Sequence, residues 1–243
     1  MEVLGYSERG VVGSLFYEMR ERKTPELVAE LLSLVSFPCR DVAFDIQEAR
    51  VLIDQSFSDF GTADVLLLLN NGGSRQAVFV EAKVRAGRKR SWTIDREFRA
   101  FRQGVRKGKV SSSNLFTQLY HKVRLVKALQ TCGIKKLERG VCFPRASSKR
   151  KRKIGTNKVV RKAVCDLLPY SSDVLFIAVV PEDTANLRAF FEGTLETYDL
   201  GSFQGWETRN WGYLSWQRVE GFCKTHSLPG TLKAFQFNET QIY

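Results

Sequence analysis

Two short apolar segments with a turn between them constrain the fold of this chain most. The first runs from Val65 to Leu69 and the second from Ala77 to Val84. The residues between them, Asn70-Asn71-Gly72-Gly73-Ser74, form a strong turn sequence. Segments this short and this apolar are typical of strands that are covered on both faces. The sequence therefore predicts two antiparallel strands in the interior of a sheet.

Charged residues stand at matching ends of these two predicted strands. Asp64 directly precedes the first apolar segment, and Glu81 and Lys83 lie near the end of the second. Side chains alternate along a strand, so Glu81 and Lys83 point to the same face. Because the start of one antiparallel strand lies beside the end of the next, we expect Asp64 to lie near both of them. The sequence thus predicts two carboxylates and a lysine at one edge of the sheet.

This combination of side chains suits phosphodiester hydrolysis. Two converging carboxylates bind a hard divalent cation such as Mg²⁺, with Mn²⁺ as a substitute. Such a cation polarises a phosphate and lowers the pKa of an attacking water. A neighbouring lysine stabilises the charge that develops on the phosphate oxygens.

Hydrophobic periodicity predicts the remaining elements. In the first half of the chain we expect helices over residues 7–22, from Thr24-Pro25-Glu26 to near Pro38, and over about 94–106. In the second half we expect helices over 114–131, from Pro181 to about Tyr198, and over Gly212–Thr225. Residues 42–54 and Asp173–Val180 are predicted strands, Lys135–Phe143 a further short strand, Arg145–Lys162 a loop or hairpin, and the rest of 85–113 a mobile loop. This order predicts an α/β fold with one mixed sheet. We expect a single domain over residues 1–243 with a basic insertion at about 145–162.

Positive charge is concentrated in the middle of the chain. Residues 83–162 contain 26 lysines and arginines against 3 acidic residues, whereas the segments on either side are net acidic. Such a cluster predicts a polyanionic partner, because each cation placed near a phosphate releases a condensed counterion. Nucleic acid is the expected partner. An anionic membrane is the alternative, although the basic stretches lack the Trp and Leu pattern of an interfacial helix.

Other sequence features argue against further classes of protein. No apolar run approaches the roughly 20 residues of a membrane span, and the first residues do not resemble a signal peptide. A cytoplasmic protein is therefore expected. The five cysteines form no CxxC pair and the two histidines, His121 and His226, are far apart, which disfavours a zinc site and a disulfide framework.

The pattern Gly61-Thr62-Ala63-Asp64, followed after the turn by Glu81-Ala82-Lys83, resembles the PD-(D/E)XK nuclease superfamily. The family includes restriction, recombination and defence nucleases. The resemblance implies a restriction-endonuclease-like core from about residue 7 to 131, with a central mixed β-sheet flanked by helices. It also implies Mg²⁺ bound by Asp64, Glu81 and the peptide carbonyl of Ala82. Ala63 stands where the family has proline, a departure that weakens the match at that position.

The resemblance implies two outer members of the site. Glu8 matches an acidic residue that family members often add from the first helix, as a further metal ligand. Gln118 matches a glutamine on the helix that follows the third strand, with Tyr120 and Lys122 as weaker companions. The expected function is therefore a Mg²⁺-dependent endonuclease acting on DNA, with Asp64, Glu81, Lys83, Glu8 and Gln118 as its catalytic residues.

Several alternatives stay open at this point. The chain could be a non-catalytic nucleic-acid-binding module with the same fold, or an RNA-directed nuclease subunit of a larger defence or mobile-element complex. A homodimer and a larger protein complex are both compatible with the sequence. Simple structural roles also compete: a turn cap for Asp64, a solvated salt bridge for Glu81 and Lys83, support of a helix start for Glu8, and a surface position for Gln118. Glu18 and Glu30 are expected on solvated helix faces, His121 on the surface beside the site, and Trp92, Trp206 and Trp211 either in packing or stacked on bases.

Overall fold

The two apolar segments form neighbouring strands, as predicted. The structure is a computed structural model that describes residues 6–22, 25–85, 92–107, 109–143, 151–195 and 208–242. The strands are β1 (Ile46–Ser56), β2 (Thr62–Asn71), β3 (Ser74–Ala82), β4 (Val174–Val180) and β5 (Trp211–Ser215). The helices are α1 (Ser7–Arg22), α2 (Pro25–Ser33), α3 (Ile94–Lys107), α4 (Leu115–Arg139), α5 (Lys158–Leu167), α6 (Thr184–Ala189), α7 (Trp216–Thr225), α8 (Pro229–Phe237) and α9 (Glu239–Ile242).

Within the described residues, the strands form one five-stranded sheet in the order β1-β2-β3-β4-β5. The pairs β1–β2 and β2–β3 are antiparallel, as the predicted meander requires. The pairs β3–β4 and β4–β5 are parallel. Gly72 and Gly73 close the β2–β3 turn with φ of 54° and 78°, a conformation that glycine adopts without a Cβ clash. The fold is therefore α/β with a mixed sheet flanked by helices.

Helices cover both faces of the sheet. On one face, Leu66 and Phe79 pack in a core with α3, α4, α5 and α6; we call this the α4 face. On the other face, Leu67 and Val78 pack with α1, α2, α7 and α8; we call this the α1 face. The middle parts of β2 and β3 are apolar because they are buried on both sides. Glu81 of β3 belongs to the α4 face, because its carboxylate contacts Lys122 of α4. Ala63 and Val65 pack on opposite faces, so the alternation is interrupted at Asp64, where β2 begins.

The predicted strand over residues 135–143 is wrong. Helix α4 continues to Arg139, with a kink at Gly133, whose φ is 70°. Beyond the helix, Val141 makes only an isolated bridge to Arg152. The helix persists past the glycine because Leu137 is buried in the same core as Leu129.

The loop predicted over Arg145–Lys162 is wrong at its end, where α5 begins. The Asn157 side chain accepts hydrogen bonds from the backbone N–H groups of Val159 and Val160, which caps the helix. Val160, Ala163, Val164 and Leu167 form its buried stripe. Interleaved lysines and arginines obscured this stripe in the sequence. Residues 144–150 of the predicted loop lie outside the described residues.

The predicted helix over Gly212–Thr225 is wrong at its start. Residues Trp211–Ser215 form the fully buried strand β5, and α7 begins only after Ser215, whose hydroxyl accepts a hydrogen bond from Arg218 N at 3.4 Å. A short apolar strand cannot be distinguished from buried helix by periodicity alone. The helix predicted from Pro181 begins at Thr184 with Asp183 as its cap, and a π-helical segment, Phe190–Leu195, follows it. The part predicted beyond Leu195 lies outside the described residues.

The prediction that Glu18 lies on a solvated helix face is wrong. Its carboxylate accepts hydrogen bonds from Gly230 N at 3.0 Å and from Thr231 N and Oγ1 at 2.8 Å each. Glu18 of α1 therefore caps α8, an element that sequence reasoning missed. Among the residues that the structure describes, no helix is long and apolar enough to span a membrane.

Candidate active site

Asp64 and Glu81 meet at one edge of the sheet. Val65 pairs with Val80, so the next step of the same register sets Asp64 across from Glu81. The backbone N–H of Ala82 donates to Asp64 Oδ2 at 2.8 Å, which ties the carboxylate to β3. Asp64 is 5% exposed and Glu81 is fully buried. The structure therefore brings together the two acidic residues that the sequence singled out, and neither is a solvated surface charge.

Glu81 has a buried cationic partner, Lys122 of α4. The Lys122 Nζ lies 3.1 Å from Glu81 Oε1, and both side chains have no exposed surface. Lys122 also donates to the carbonyl oxygens of Thr62 at 3.0 Å and Phe60 at 3.3 Å. These three contacts use the three N–H groups of the ammonium. The segment that leads into Asp64 is thereby fixed to the helix that covers Glu81.

The electrostatics of the pair follow from burial. Burial, opposed by Lys122 and aided by the charge of Asp64, raises the pKa of Glu81 to about 7. Burial also raises the pKa of Asp64, against the lowering effect of the Ala82 N–H bond. Close to neutral pH, Glu81 is therefore present in both its protonated and its ionised form.

The second oxygen of Glu81 lacks a partner. Oε2 is buried and makes no hydrogen bond within the described part of the chain. A buried carboxylate oxygen without a donor is costly unless a cation, a water or a proton satisfies it. Together with Asp64, this oxygen offers the oxygen donors that Mg²⁺ and Mn²⁺ prefer. The residues present fit a divalent cation in this respect.

Lys83 is half-buried at the same edge. Its backbone is fixed on both sides, because its N–H donates to Val179 O at 2.8 Å and its carbonyl accepts from Trp216 Nε1 at 2.7 Å. Its charge lowers the pKa of both Asp64 and Glu81. The predicted group of two acids and a lysine thus forms one electrostatic unit.

Glu8 and Gln118 lie on α1 and α4, which cover opposite faces of the sheet, and the interaction recorded with the site is that of Glu8 with Asp64. Glu8 is half-buried in the first turn of α1, and its charge raises the pKa of Asp64. Gln118 is half-buried one turn before Lys122 on α4, and its buried Oε1 has no hydrogen-bond partner among the described residues. In the ranges that the structure covers, no group of three or more His, Cys, Asp and Glu side chains is arranged to hold a metal ion.

The structure also describes His121 and Trp211, two further residues that the sequence singled out. His121 is half-buried rather than on the surface, and burial beside Arg152 and Arg124 lowers its pKa to about 3. Trp211 is 1% exposed and stacks on Phe116, so it belongs to the core. Trp206 lies outside the described residues.

Lys122 is the residue that sequence reasoning undervalued. It was grouped with Tyr120 as a weak companion of Gln118, yet it is the side chain that contacts Glu81. One signal was available: a lysine between Leu119 and Val123 lies on or near the apolar stripe of an amphipathic helix. A lysine in that position needs a buried acidic partner.

Basic side chains gather on the α4 face. Exposed lysines and arginines line the outer surfaces of α3, α4 and α5: Arg96, Arg99, Arg106, Lys107, Lys127, Lys135, Lys136, Arg139, Lys158, Arg161 and Lys162. We call this surface the basic face. Glu81 contacts Lys122 of α4, so the basic face lies on the side of the sheet from which α4 covers Glu81.

No protein-family model, curated protein or solved structure matches this chain.

Proposed function

We propose that this chain is a divalent-metal-dependent nuclease with a restriction-endonuclease-like core, acting on DNA. The observation that carries the proposal is the meeting of two buried carboxylates, Asp64 and Glu81, beside Lys83 at one sheet edge. The basic face supports a nucleic-acid substrate through its charge. The mixed sheet flanked by helices agrees with the core that the resemblance implies.

In this proposal each residue has a separate task. Asp64, Glu81 and the Ala82 carbonyl would hold Mg²⁺, with Glu8 as an outer ligand. The cation supplies Lewis-acid polarisation of a phosphate and a water of lowered pKa. Lys83 stabilises charge on the phosphate oxygens. Gln118 orients a polar group through its unpaired Oε1, and Lys122 holds the Glu81 carboxyl group in position and lowers its pKa against the effect of burial.

One observation favours a second candidate, a non-catalytic nucleic-acid-binding module. Lys122 already neutralises Glu81, and the described residues contain no cluster of three ligating side chains. A site of this kind can persist as an internal ion pair without a metal. The two candidates predict different results with divalent cations.

A cleavage assay separates them. Purified protein is incubated with double-stranded DNA, single-stranded DNA or RNA, in Mg²⁺, in Mn²⁺ or in chelator. We expect metal-dependent cleavage of DNA that falls by at least about 100-fold in Glu81→Gln and Lys83→Ala. Lys224→Ala, which removes an exposed lysine of α7 on the α1 face, is the control and should cleave normally. Equal cleavage by Glu81→Gln and wild type would refute the assignment, and binding without cleavage of any substrate would establish the module instead.

Metal binding has its own measurement. Titration of the protein with Mn²⁺ by calorimetry should release protons near pH 6.5, because Glu81 must ionise to bind the cation. Glu81→Gln should bind more weakly and release fewer protons. Identical heats for the two proteins would remove Glu81 from the metal site.

A further inference from the structure

A pocket opens at the edge of the sheet where the parallel strands end. Strands β3, β4 and β5 run in one direction, so their carboxyl ends meet at this edge. The pocket has a volume of about 430 Å³. Its walls include Arg85 after β3, Glu182 and Asp183 after β4, and Trp216 and Gln217 after β5. We call it the edge pocket. The crevice outside the carboxyl ends of parallel strands is where α/β proteins generally bind ligands.

The edge pocket is joined to the candidate active site. Trp216, which forms part of its wall, donates from Nε1 to the carbonyl oxygen of Lys83 at 2.7 Å. Arg85 lies two residues beyond Lys83. A strand whose phosphate lies at Glu81 and Lys83 would therefore present its adjacent nucleotide to this pocket.

The pocket walls combine an aromatic ring with a carboxylate. Trp92 lines the pocket, is half-buried and packs partly against the α4-face core. Glu182 also lines the pocket and uses Oε2 to accept the Ile94 N–H at 2.8 Å. A planar ligand with a hydrogen-bond donor would contact the ring and the carboxylate together.

The acidic side chains in the walls of the edge pocket disfavour a phosphate as its main ligand. Glu182 and Asp183 both line the pocket and repel an anion, whereas Arg85 supplies the cation on the side of Lys83. A nucleobase is uncharged, planar and carries ring acceptors and N–H donors. The volume lies within the range of about 300–1,000 Å³ that is usual for small-molecule sites.

We propose that the edge pocket binds one unstacked nucleobase of the strand held at the active site, with Trp92 as stacking surface and Glu182 as hydrogen-bond partner. The chain would then act on single-stranded or locally unpaired nucleic acid. This inference rests on nucleic acid as the substrate, but it does not require cleavage.

The test compares bases with phosphates alone. Binding of oligothymidylate is measured against an abasic oligomer of the same length, in chelator, so that no cleavage occurs. Both probes have the same phosphates. The dissociation constant of the abasic oligomer divided by that of oligothymidylate therefore reports the contribution of the bases. We expect Trp92→Leu to lower this ratio by about 5-fold or more, while its affinity for the abasic oligomer stays unchanged.

Two further variants sharpen the test. Glu182→Gln keeps an acceptor for the Ile94 N–H and should lower the ratio to a smaller extent. Tyr17→Leu removes an exposed aromatic side chain of α1, on the other face of the sheet, and should leave the ratio unchanged. An unchanged ratio in Trp92→Leu would overturn the base pocket and leave the nuclease proposal intact. A lowered ratio in a protein that fails the cleavage assay would uphold the pocket and refute the nuclease.

Discussion

At the scale of single residues, the most informative contact is the buried pair of Glu81 and Lys122. An ion pair without exposed surface loses the hydration of both charges, and its attraction only partly offsets that loss. Removal of one member leaves the other charge buried and uncompensated. The pair therefore controls both the protonation of Glu81 and the stability of the fold around it.

The raised pKa of Glu81 predicts a pH-dependent stability in the absence of metal. Between about pH 4.5 and 7, the folded protein keeps a proton that the unfolded chain releases. The stabilisation of the folded state that comes from the protonated Glu81 is therefore fully present below pH 4.5 and is lost as the pH rises through 7. We expect the free energy of unfolding of the wild type, measured with urea in chelator, to fall by about 1–3 kcal/mol more than that of Glu81→Gln between pH 5 and 8. A constant difference between the two proteins would contradict the raised pKa.

Substitution of Lys122 should destabilise the protein strongly. In Lys122→Met the Glu81 carboxylate loses its partner, and we expect the free energy of unfolding at pH 8 to fall by about 3–5 kcal/mol. The double variant with Glu81→Gln should recover part of that loss, because no charge is then left buried. Lys127→Met, on the exposed side of the same helix, is the control. Equal stability of Lys122→Met and the control would show that the pair contributes little.

The sequence predicted the acidic pair but not its cation. Asp64 and Glu81 were recognisable because each interrupts a strongly apolar strand and a turn of known type sets the register between them. Lys122 lies 41 positions after Glu81, and only the docking of α4 on the sheet brings them together. Such a contact depends on the tertiary arrangement, which periodicity does not encode.

At the scale of elements, α1 is linked to α8 through a single side chain. The Glu18 carboxylate satisfies two backbone N–H groups and a hydroxyl at the α8 N-terminus, where the helix dipole also favours a negative charge. Glu18→Gln should lower the free energy of unfolding by about 1–2 kcal/mol in a denaturant titration. Glu21→Gln, an exposed neighbour on α1, should change it by less than about 0.5 kcal/mol. A similar effect of the two substitutions would show that Glu18 is not a cap.

Prediction of elements succeeded where the pattern was long and failed where it was short or masked by charge. Helix α1 was predicted over its full length because a buried stripe recurs over several turns. Strand β5 has only five residues, all buried, and was merged with the helix that follows it. Helix α5 was missed because its exposed face continues the preceding run of basic residues.

At the scale of the whole molecule, basic side chains outnumber acidic ones on the basic face, whereas acidic residues balance them on the helices of the α1 face. Affinity for double-stranded DNA should therefore fall steeply with salt, with a slope of log affinity against log salt that reflects the number of phosphate contacts. Replacement of Arg106 and Lys107 by alanine should weaken binding and reduce the slope by up to about 2. Replacement of Arg20 and Lys224, on the α1 face, should leave the slope unchanged. Equal effects of the two double variants would argue against the basic face as the binding surface.

The fold class could be predicted because helices and strands alternate along the chain, and this order favours a mixed sheet between helix layers. The joining of β3, β4 and β5 into a parallel half could not be predicted, since β5 was unrecognised. The edge pocket was therefore hidden from sequence reasoning, because its walls come from three strand ends that only the sheet brings together.

The contact between Lys122 and Glu81 also has a practical consequence for kinetics. Because the carboxylate has an internal counter-cation, the fold does not depend on an added ion for charge balance at this position. For the proposed nuclease, protein and nucleic acid would therefore be mixed and equilibrated in chelator, and the proposed cleavage would be started by a jump in metal concentration. All molecules then begin from the same bound state, so a single turnover can be followed in time.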